Sequence, residues 1–577
     1  MAVYREEADW TVMVYLAGDN NLTAECLYAL TEMKKVDTKD RINIIAQFDP
    51  MDDYLPTRRF EISKKTTLDN LLDNDLGGAP FEVESDIAQI RAQARIAGLK
   101  AGATAAAKAA VASFNEALES LKKNSEIAIG NFTKAGTRLE KSIQREFSRN
   151  DPVSSVAQSE TDTGSPITLY NFLSYCVAHF KAKHYMVVLS GHGSGTERDF
   201  LLRDESPEGY LTLNELRQVF EDLQPELGPG RMIDILGLDS CLMSMAEVCY
   251  ELNGLVKIMI GSESYSPASG WPYREVLQRL VHEMEAGEKD LQKRVAKGVV
   301  EEYVNYYSNY WLGGISVDQS ALDVTKVKSL NEVKGLKDHI DALAKALMEE
   351  LEGPEEQKKN IVDALIMAHW EAQSYNGEQF VDLADFCRCL SRRYQVKKIT
   401  DACRTLAKFI TPHLMDGQNE PLEDTPPAPE DDTTETGTFV LKSCFNGPVF
   451  QYSYGVSIYF PWAKVAHDYN ELSFVKDTWG SGWAKFLQTY TVMTRRLPRY
   501  ATQADAAIDT FASSNLTLLP QRFRKVGEKG SENPVYSMRN PPLTAKPDHC
   551  IRKREIIEKS QEKILKDLER HSLLNSG

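Results

Sequence analysis

Two short stretches of this 577-residue chain carry side chains that could do chemistry together. In the first, Ser190-Gly191-His192-Gly193-Ser194-Gly195 follows an apolar run ending at Leu189. In the second, Asp239-Ser240-Cys241 follows an apolar run ending at Leu238. A free cysteine thiol, with a pKa of about 8.5, is only a few per cent thiolate at pH 7 and needs help to become a nucleophile. An imidazole can generate or stabilise the thiolate and can later protonate a departing amine. Glycine on both sides of His192 permits tight backbone geometry and close approach of a substrate. The backbone N–H of Cys241, at the start of a following helix, and that of Gly193 would form an oxyanion hole; losing one such donor typically costs about 10²–10³ in rate. The predicted reaction class is acyl transfer, with amide hydrolysis its commonest form. Each residue alone has a blander reading. Cysteine is more often a small buried hydrophobe, His192 could be a turn residue, and Asp239 could cap the next helix. The joint arrangement argues for a site.

That arrangement requires both runs to be strands of one sheet. Apolar runs at 11–17, 41–48, 58–62, 185–190, 232–238 and 255–261 read as strands. Helical spacing appears at 21–35, with Asn21 or Thr23 offered as N-cap, and at 168–180, 211–223 and 242–252. A further strand is predicted at 454–461. Continuous apolar strands alternating with helices indicate an α/β fold with a mostly parallel sheet covered on both faces. Such sheets bind ligands beyond the carboxyl ends of their strands, where His192 and Cys241 fall. If the two strands are neighbours, both side chains project into one crevice.

Composition narrows the rest. Hydrophobic residues make up 42% and charged residues 26%, which excludes a wholly disordered chain and a collagen-like or coiled-coil rod. With 67 Lys+Arg against 84 Asp+Glu the net charge is −17, which argues against the phosphate backbone of nucleic acid as main partner. No signal-like segment and no apolar run of membrane-spanning length is visible, so a cytoplasmic protein with no membrane partner is expected. Nine cysteines at irregular spacing read as reduced thiols. Cys387 and Cys389 lack a second pair, so no metal site is expected there. Residues 88–149 are Ala-rich and lack Pro, and they read as a helical hairpin inserted at 76–158, either a surface embellishment or a lid or partner-binding arm. Residues 416–435, within a loop at 412–438, are acidic and Pro-rich and contain no Lys or Arg, hence solvated. The division predicted is a core at 8–330, a C-terminal domain at 331–495 and a tail at 496–577 ending in a charged helix.

The motifs also resemble a known family. Segments 185–193 and 233–241 are similar to the His-Gly and Asp-Ala-Cys motifs of clostripain-type cysteine peptidases, part of the caspase-like group. Stretches at 15–22, 168–173, 261–271 and 455–461 agree in order, and the likeness covers 10–75, 160–330 and, more loosely, 331–490. The resemblance implies a caspase-like α/β sheet sandwiched by helices, and an endopeptidase with Cys241 as nucleophile and His192 as its acid/base partner. It makes Asp239 the acid at the floor of the pocket for the side chain before the cleaved bond. A buried carboxylate suits Arg, which can pair bidentately, with Lys second, so the implied partner is a protein or peptide with Arg or Lys at that position. Ser240 stands where the family usually has Ala. Glu263 follows the next strand, where the family places substrate-pocket loops; it would add negative charge or be solvated. Trp271 reads as packing. Family members are often zymogens cut between the His and Cys strands, and Arg198 and Arg203 lie in a polar loop between the motifs, as candidates for self-cleavage or for an upstream protease. No cofactor is required. Calcium is implied by some relatives only, and no EF-hand spacing is present. The rival readings are a non-enzymatic scaffold that binds a partner through the helical insertion, and a small-molecule amidase with the same dyad.

Overall fold

The computed structural model describes residues 7–62 and 162–496, apart from 21, 40, 51–56, 197–200, 206–207, 268, 309–315, 332, 377–378, 412–438, 447–448, 463 and 478–481. The expected helical insertion, the acidic loop and the tail lie outside the described residues. Within them, the apolar runs become strands whose central side chains alternate between two buried clusters. Met13, Tyr15 and Ala17 of β1 (Ala8–Gly18) enter one buried cluster, while Trp10, Val12, Val14 and Leu16 enter a second. A strand buried on both faces needs this period-two division, with both sets apolar.

The chain continues through helix α1 (Thr23–Lys34), β2 (Ile42–Pro50) and β3 (Arg58–Ile62). Helix α2 (Pro166–His179) leads to β4 (Ala182–Ser190), followed by the hairpin of β5 (Leu201–Glu205) and β6 (Glu208–Leu211). Next come α3 (Leu213–Leu227), β7 (Ile233–Asp239), α4 (Ala246–Glu251) and β8 (Val256–Gly261). Helices α5 (Tyr273–Glu285) and α6 (Leu291–Ser308) precede β9 (Val317–Asp323). The eighth strand of the main sheet, β12 (Val440–Asn446), comes much later; between them lie α7 (Leu336–Leu351), α8 (Glu355–Glu371), β10 (Ser374–Tyr375), β11 (Phe380–Asp382), α9 (Leu383–Arg393) and α10 (Lys397–Ile410).

The sheet order is β12-β9-β8-β7-β4-β1-β2-β3. Its five inner strands, β8-β7-β4-β1-β2, run parallel; β9 and β3 flank them antiparallel, and β12 pairs antiparallel with β9 at the edge. The expected mostly parallel α/β sheet is therefore present. Helices α1, α5 and α6 cover one face, and α2, α3, α4 and the helices after β9 cover the other. The segment after residue 331 adds β12 to the main sheet and forms a small sheet of β10, β11 and β13 (Ser457–Tyr459). Among the described residues, no helix is long and apolar enough to cross a membrane.

Several boundaries differ from expectation. Neither Asn21 nor Thr23 is the N-cap of α1; Leu22 is, and its N–H donates to Asn20 Oδ1. The strand expected at 454–461 shortens to Ser457–Tyr459, because Gly455 has φ +109° and breaks extended backbone. The helix expected from residue 211 begins at Leu213, since Thr212 closes a capping box: its Oγ1 accepts from Glu215 N, and Glu215 Oε2 accepts from Thr212 N. Replacing such a cap typically costs about 1 kcal/mol, so Thr212→Ala should lower stability by that amount in urea unfolding without altering the site.

Candidate active site

Strands β4 and β7 are parallel neighbours, and Ser190 lies opposite Asp239 in their register. His192 and Cys241 each sit two residues beyond that pair, at the same edge of the sheet. The two loops are packed together. Gly191 N donates to Asp239 O at 3.3 Å. A Cβ on Gly193 would come within 2.8 Å of Cys241 O and 3.0 Å of Ser240 Cβ, so only glycine permits this approach. On its other side, His192 O accepts from Leu202 N at 2.9 Å, tying the histidine loop to the β5–β6 hairpin. His192 and Cys241 are both partly exposed, whereas Asp239, Ser240 and Leu242 around the cysteine are buried. The structure thus brings His192, Gly193, Asp239 and Cys241 together.

Cys241 does not open a helix, contrary to expectation. Helix α4 starts at Ala246, and residues 240–244 form an irregular loop laid against the loop after β8. Leu242 has φ +64°, unusual for a non-glycine residue and a local source of strain. Four contacts hold the two loops. Ser266 Oγ donates to Ser240 O (3.4 Å), Cys241 Sγ to Ser266 O (3.9 Å), Leu242 N to Ser264 O (2.9 Å) and Ser244 N to Ser262 O (2.9 Å). The backbone N–H groups after the cysteine are therefore used against a neighbouring loop, and a helix cannot begin until Met245 has been passed.

Asp239 does not cap α4, whose N-cap is Met245. Its Oδ2 accepts from Ser190 Oγ and from Tyr273 OH, each at 2.9 Å. The carboxyl is 5% exposed. Burial raises its pKa above the ordinary value, and the Trp271 backbone N–H with the two hydroxyls opposes part of that rise. Gly270, at φ +66°, runs directly over it: a Cβ there would lie 2.7 Å from Oδ2. Tyr307 OH donates to Gly270 O at 2.6 Å and fixes that turn. Trp271 is buried and packs over Gly237 of β7, where a Cβ would meet its ring at 2.4 Å, so it is a packing residue. Among the described residues no cation pairs with Asp239, and its Oδ1 is buried without a hydrogen-bond partner.

The remaining candidates fall elsewhere. Glu263 is fully buried and neither solvated nor open to a substrate: its Oε2 accepts from Gly455 N at 2.9 Å. Burial, with Asp382 and Asp318 close by, raises its pKa well above the usual range. Arg198 lies outside the described residues. Arg203 is within strand β5, at the irregularity between the paired residues Leu201 and Asp204, and not in an open loop as expected, because the residues flanking it pair antiparallel with β6. Sequence reasoning missed the residues that hold the site together: Ser190 and Tyr273 on Asp239, and Asp318 on β9. Ser190 carried a readable signal, since it ends the strand opposite the Asp-x-Cys strand. Tyr273 and Asp318 approach only through long-range packing. None of the eight described cysteines is in a disulfide, and among the described residues no group of three or more His, Cys, Asp or Glu side chains is arranged to hold a metal ion.

The model of the clostripain family matches residues 14–414. The chain belongs to the clostripain family. It is thus a member of a cysteine-peptidase family, built on the mostly parallel α/β sheet described above. Clostripain of Hathewaya histolytica is 23% identical over 146 residues, 22% of this chain and 26% of clostripain, so the matched stretch spans about a quarter of that relative's length. Among solved structures, an inactive zymogen C11 protease from Parabacteroides distasonis is similar at 16% identity, covering 82% of this chain and 99% of that one with a TM-score of 0.44. A secreted C11 cysteine protease from Bacteroides thetaiotaomicron, in complex with an irreversible peptide inhibitor, is 15% identical, with 81% and 98% coverage and a TM-score of 0.43.

Proposed function

We propose that this clostripain-family chain is a cysteine endopeptidase that hydrolyses peptide bonds after Arg, with Lys second. One observation carries the specificity: Asp239, two residues before Cys241, is a buried carboxylate that no cation faces among the described residues. Breaking a buried ion pair by removing one partner costs about 3–5 kcal/mol, so a lone buried carboxylate is a site that gains from a cationic ligand. An arginine side chain entering the pocket would meet Oδ1, while Ser190 and Tyr273 occupy Oδ2.

The chemistry then runs in two steps. His192 accepts the Cys241 proton as Sγ attacks the carbonyl carbon, and the oxyanion is received by the Gly193 and Cys241 backbone N–H groups. Collapse breaks the C–N bond, His192 protonates the leaving amine, and a thioester remains. In the second step His192 takes a proton from water as it attacks the thioester, then returns one to the departing thiolate. Fluorogenic peptides with Arg, Lys, Asp or Leu before the reporter test the reading. Cleavage in the order Arg, then Lys, with Asp and Leu far behind, is the expected result; cleavage of none of them would overturn it.

Activation by cleavage at Arg198 or Arg203 forms part of the same proposal. Arg203 lies inside strand β5, whose flanking pairs with β6 would have to open before a cut there, which makes Arg198 the preferred position. Intact mass should show wild-type chain cut there under activating conditions, while a Cys241→Ala chain incubated alone stays whole; an uncut wild type would remove self-processing.

A further inference from the structure

The loop that carries Cys241 does not stand by itself. Four of its contacts go to residues 262–266, and that second loop is in turn fixed from β9. Asp318 accepts from Glu263 N at 2.8 Å, from Ser264 N at 3.2 Å and from Ser264 Oγ. Ser262 Oγ donates to Asp318 O at 2.6 Å and to Gln319 Oε1 at 2.7 Å. Asp318 is 2% exposed, so these donors have no water to turn to if the carboxylate is lost. We propose that Asp318 is a positioning residue for the nucleophile: its carboxylate fixes the 262–266 loop, and that loop fixes Cys241.

The side-chain chemistry explains why a carboxylate is needed. Three donors converge on the two oxygens of Asp318, and an ionised carboxylate is an acceptor only. An asparagine at this position turns two N–H groups of its own toward some of those donors. Burial pushes Asp318 up to about 6, and the Ser264 and Glu263 donors oppose that rise, as expected where the hydrogen bonds favour the charged form. The strain at Leu242 gives the brace its purpose. A residue held at φ +64° relaxes when its surroundings loosen, and Leu242 N is bound to Ser264 O, next to the Ser264 N–H and hydroxyl that Asp318 holds. Relaxation there rotates the peptide on which Cys241 sits.

The inference rests on Cys241 being the nucleophile, and its test separates the two claims. Alkylation of Cys241 by iodoacetamide at pH 7, followed by peptide mass spectrometry, reports thiol placement without any peptidase assay. Asp318→Asn is expected to slow Cys241 alkylation by about tenfold to a hundredfold, the scale of a misplaced reacting group. Ser264→Ala, which removes one donor and little volume, is expected to slow it by about threefold to tenfold. In peptide cleavage both variants should lose kcat with KM near the wild-type value, and the double variant should lose less than the product of the two. Thr212→Ala is the control, destabilised but with unchanged Cys241 reactivity. Wild-type alkylation per folded molecule in Ser264→Ala overturns the proposal even if Asp318→Asn fails to fold. Slowed alkylation in a chain that cleaves no peptide leaves the positioning role standing and removes the proposed activity.

Discussion

Cys241→Ala should lower kcat for an Arg-reporter peptide by at least about 10⁴-fold, while the chain remains folded. Catalytic groups that act as a unit cannot replace one another, and loss of the nucleophile leaves only binding and oxyanion stabilisation. The fold should tolerate the change, because Cys241 is partly exposed and its contact to Ser266 O is weak. His192→Ala should fall to a similar level, and the double variant should be hardly worse than either single one. Steady-state kinetics beside a thermal melt checks all three. Retention of more than a tenth of wild-type kcat in Cys241→Ala, in protein free of wild-type contamination, would mean that the nucleophile lies elsewhere.

Asp239→Asn should separate activity from stability, moving them in opposite directions. For Arg and Lys peptides kcat/KM is expected to fall by about 10²–10³, from the loss of one partner of a buried ion pair. For a Leu peptide it should be unchanged or higher, since a buried charge no longer opposes an apolar side chain. Stability should rise. The folded-state pKa of Asp239 lies above its ordinary value, so the folded chain binds this proton more tightly than the unfolded chain. Its contribution is then most favourable below the ordinary value and is lost as pH rises through the folded value. Asparagine carries no such loss. The variant's advantage in urea unfolding should be small near pH 4 and larger at pH 8, and an advantage that shrinks with rising pH would contradict the charge assignment.

The inner strands were readable because burial on both faces leaves a mark in sequence. Val187, Val188 and Leu189, like Ile235 and Leu236, are apolar on successive positions because helices cover both sides. Their adjacency was only conditional, since parallel neighbours are joined through long crossovers that sequence does not align. Strand β9 escaped notice for the opposite reason. Its Asp318, Gln319 and Ser320 look like a surface stretch, yet all three are buried, and the hydroxyls and backbone groups that satisfy them come from distant loops. The same effect misplaced the start of the helix after Cys241. Leu242 and Met243 have helical propensity, but Leu242 N and Ser244 N are bonded across to Ser264 and Ser262. Tertiary bonding decided the local conformation. Glu263 was misjudged likewise: a carboxylate after a strand reads as solvated or ligand-facing, and nothing nearby in sequence announces that Gly455 N meets it.

That reach across the chain has a consequence during synthesis. Ser244, three residues past the cysteine, is held by Gly455 O through its hydroxyl and by Ser457 N through its carbonyl. Among the described residues, the β9 edge beside it is closed by β12, at residues Val440–Asn446. A ribosome adding about 5–20 residues per second releases His192 and Cys241 many seconds before those partners emerge. Through that interval the nascent chain carries both side chains of the proposed dyad without these later contacts. The proposed peptidase activity is therefore expected only after these late strands dock, and a chain halted before about residue 457 should be inert toward its own neighbours on the ribosome.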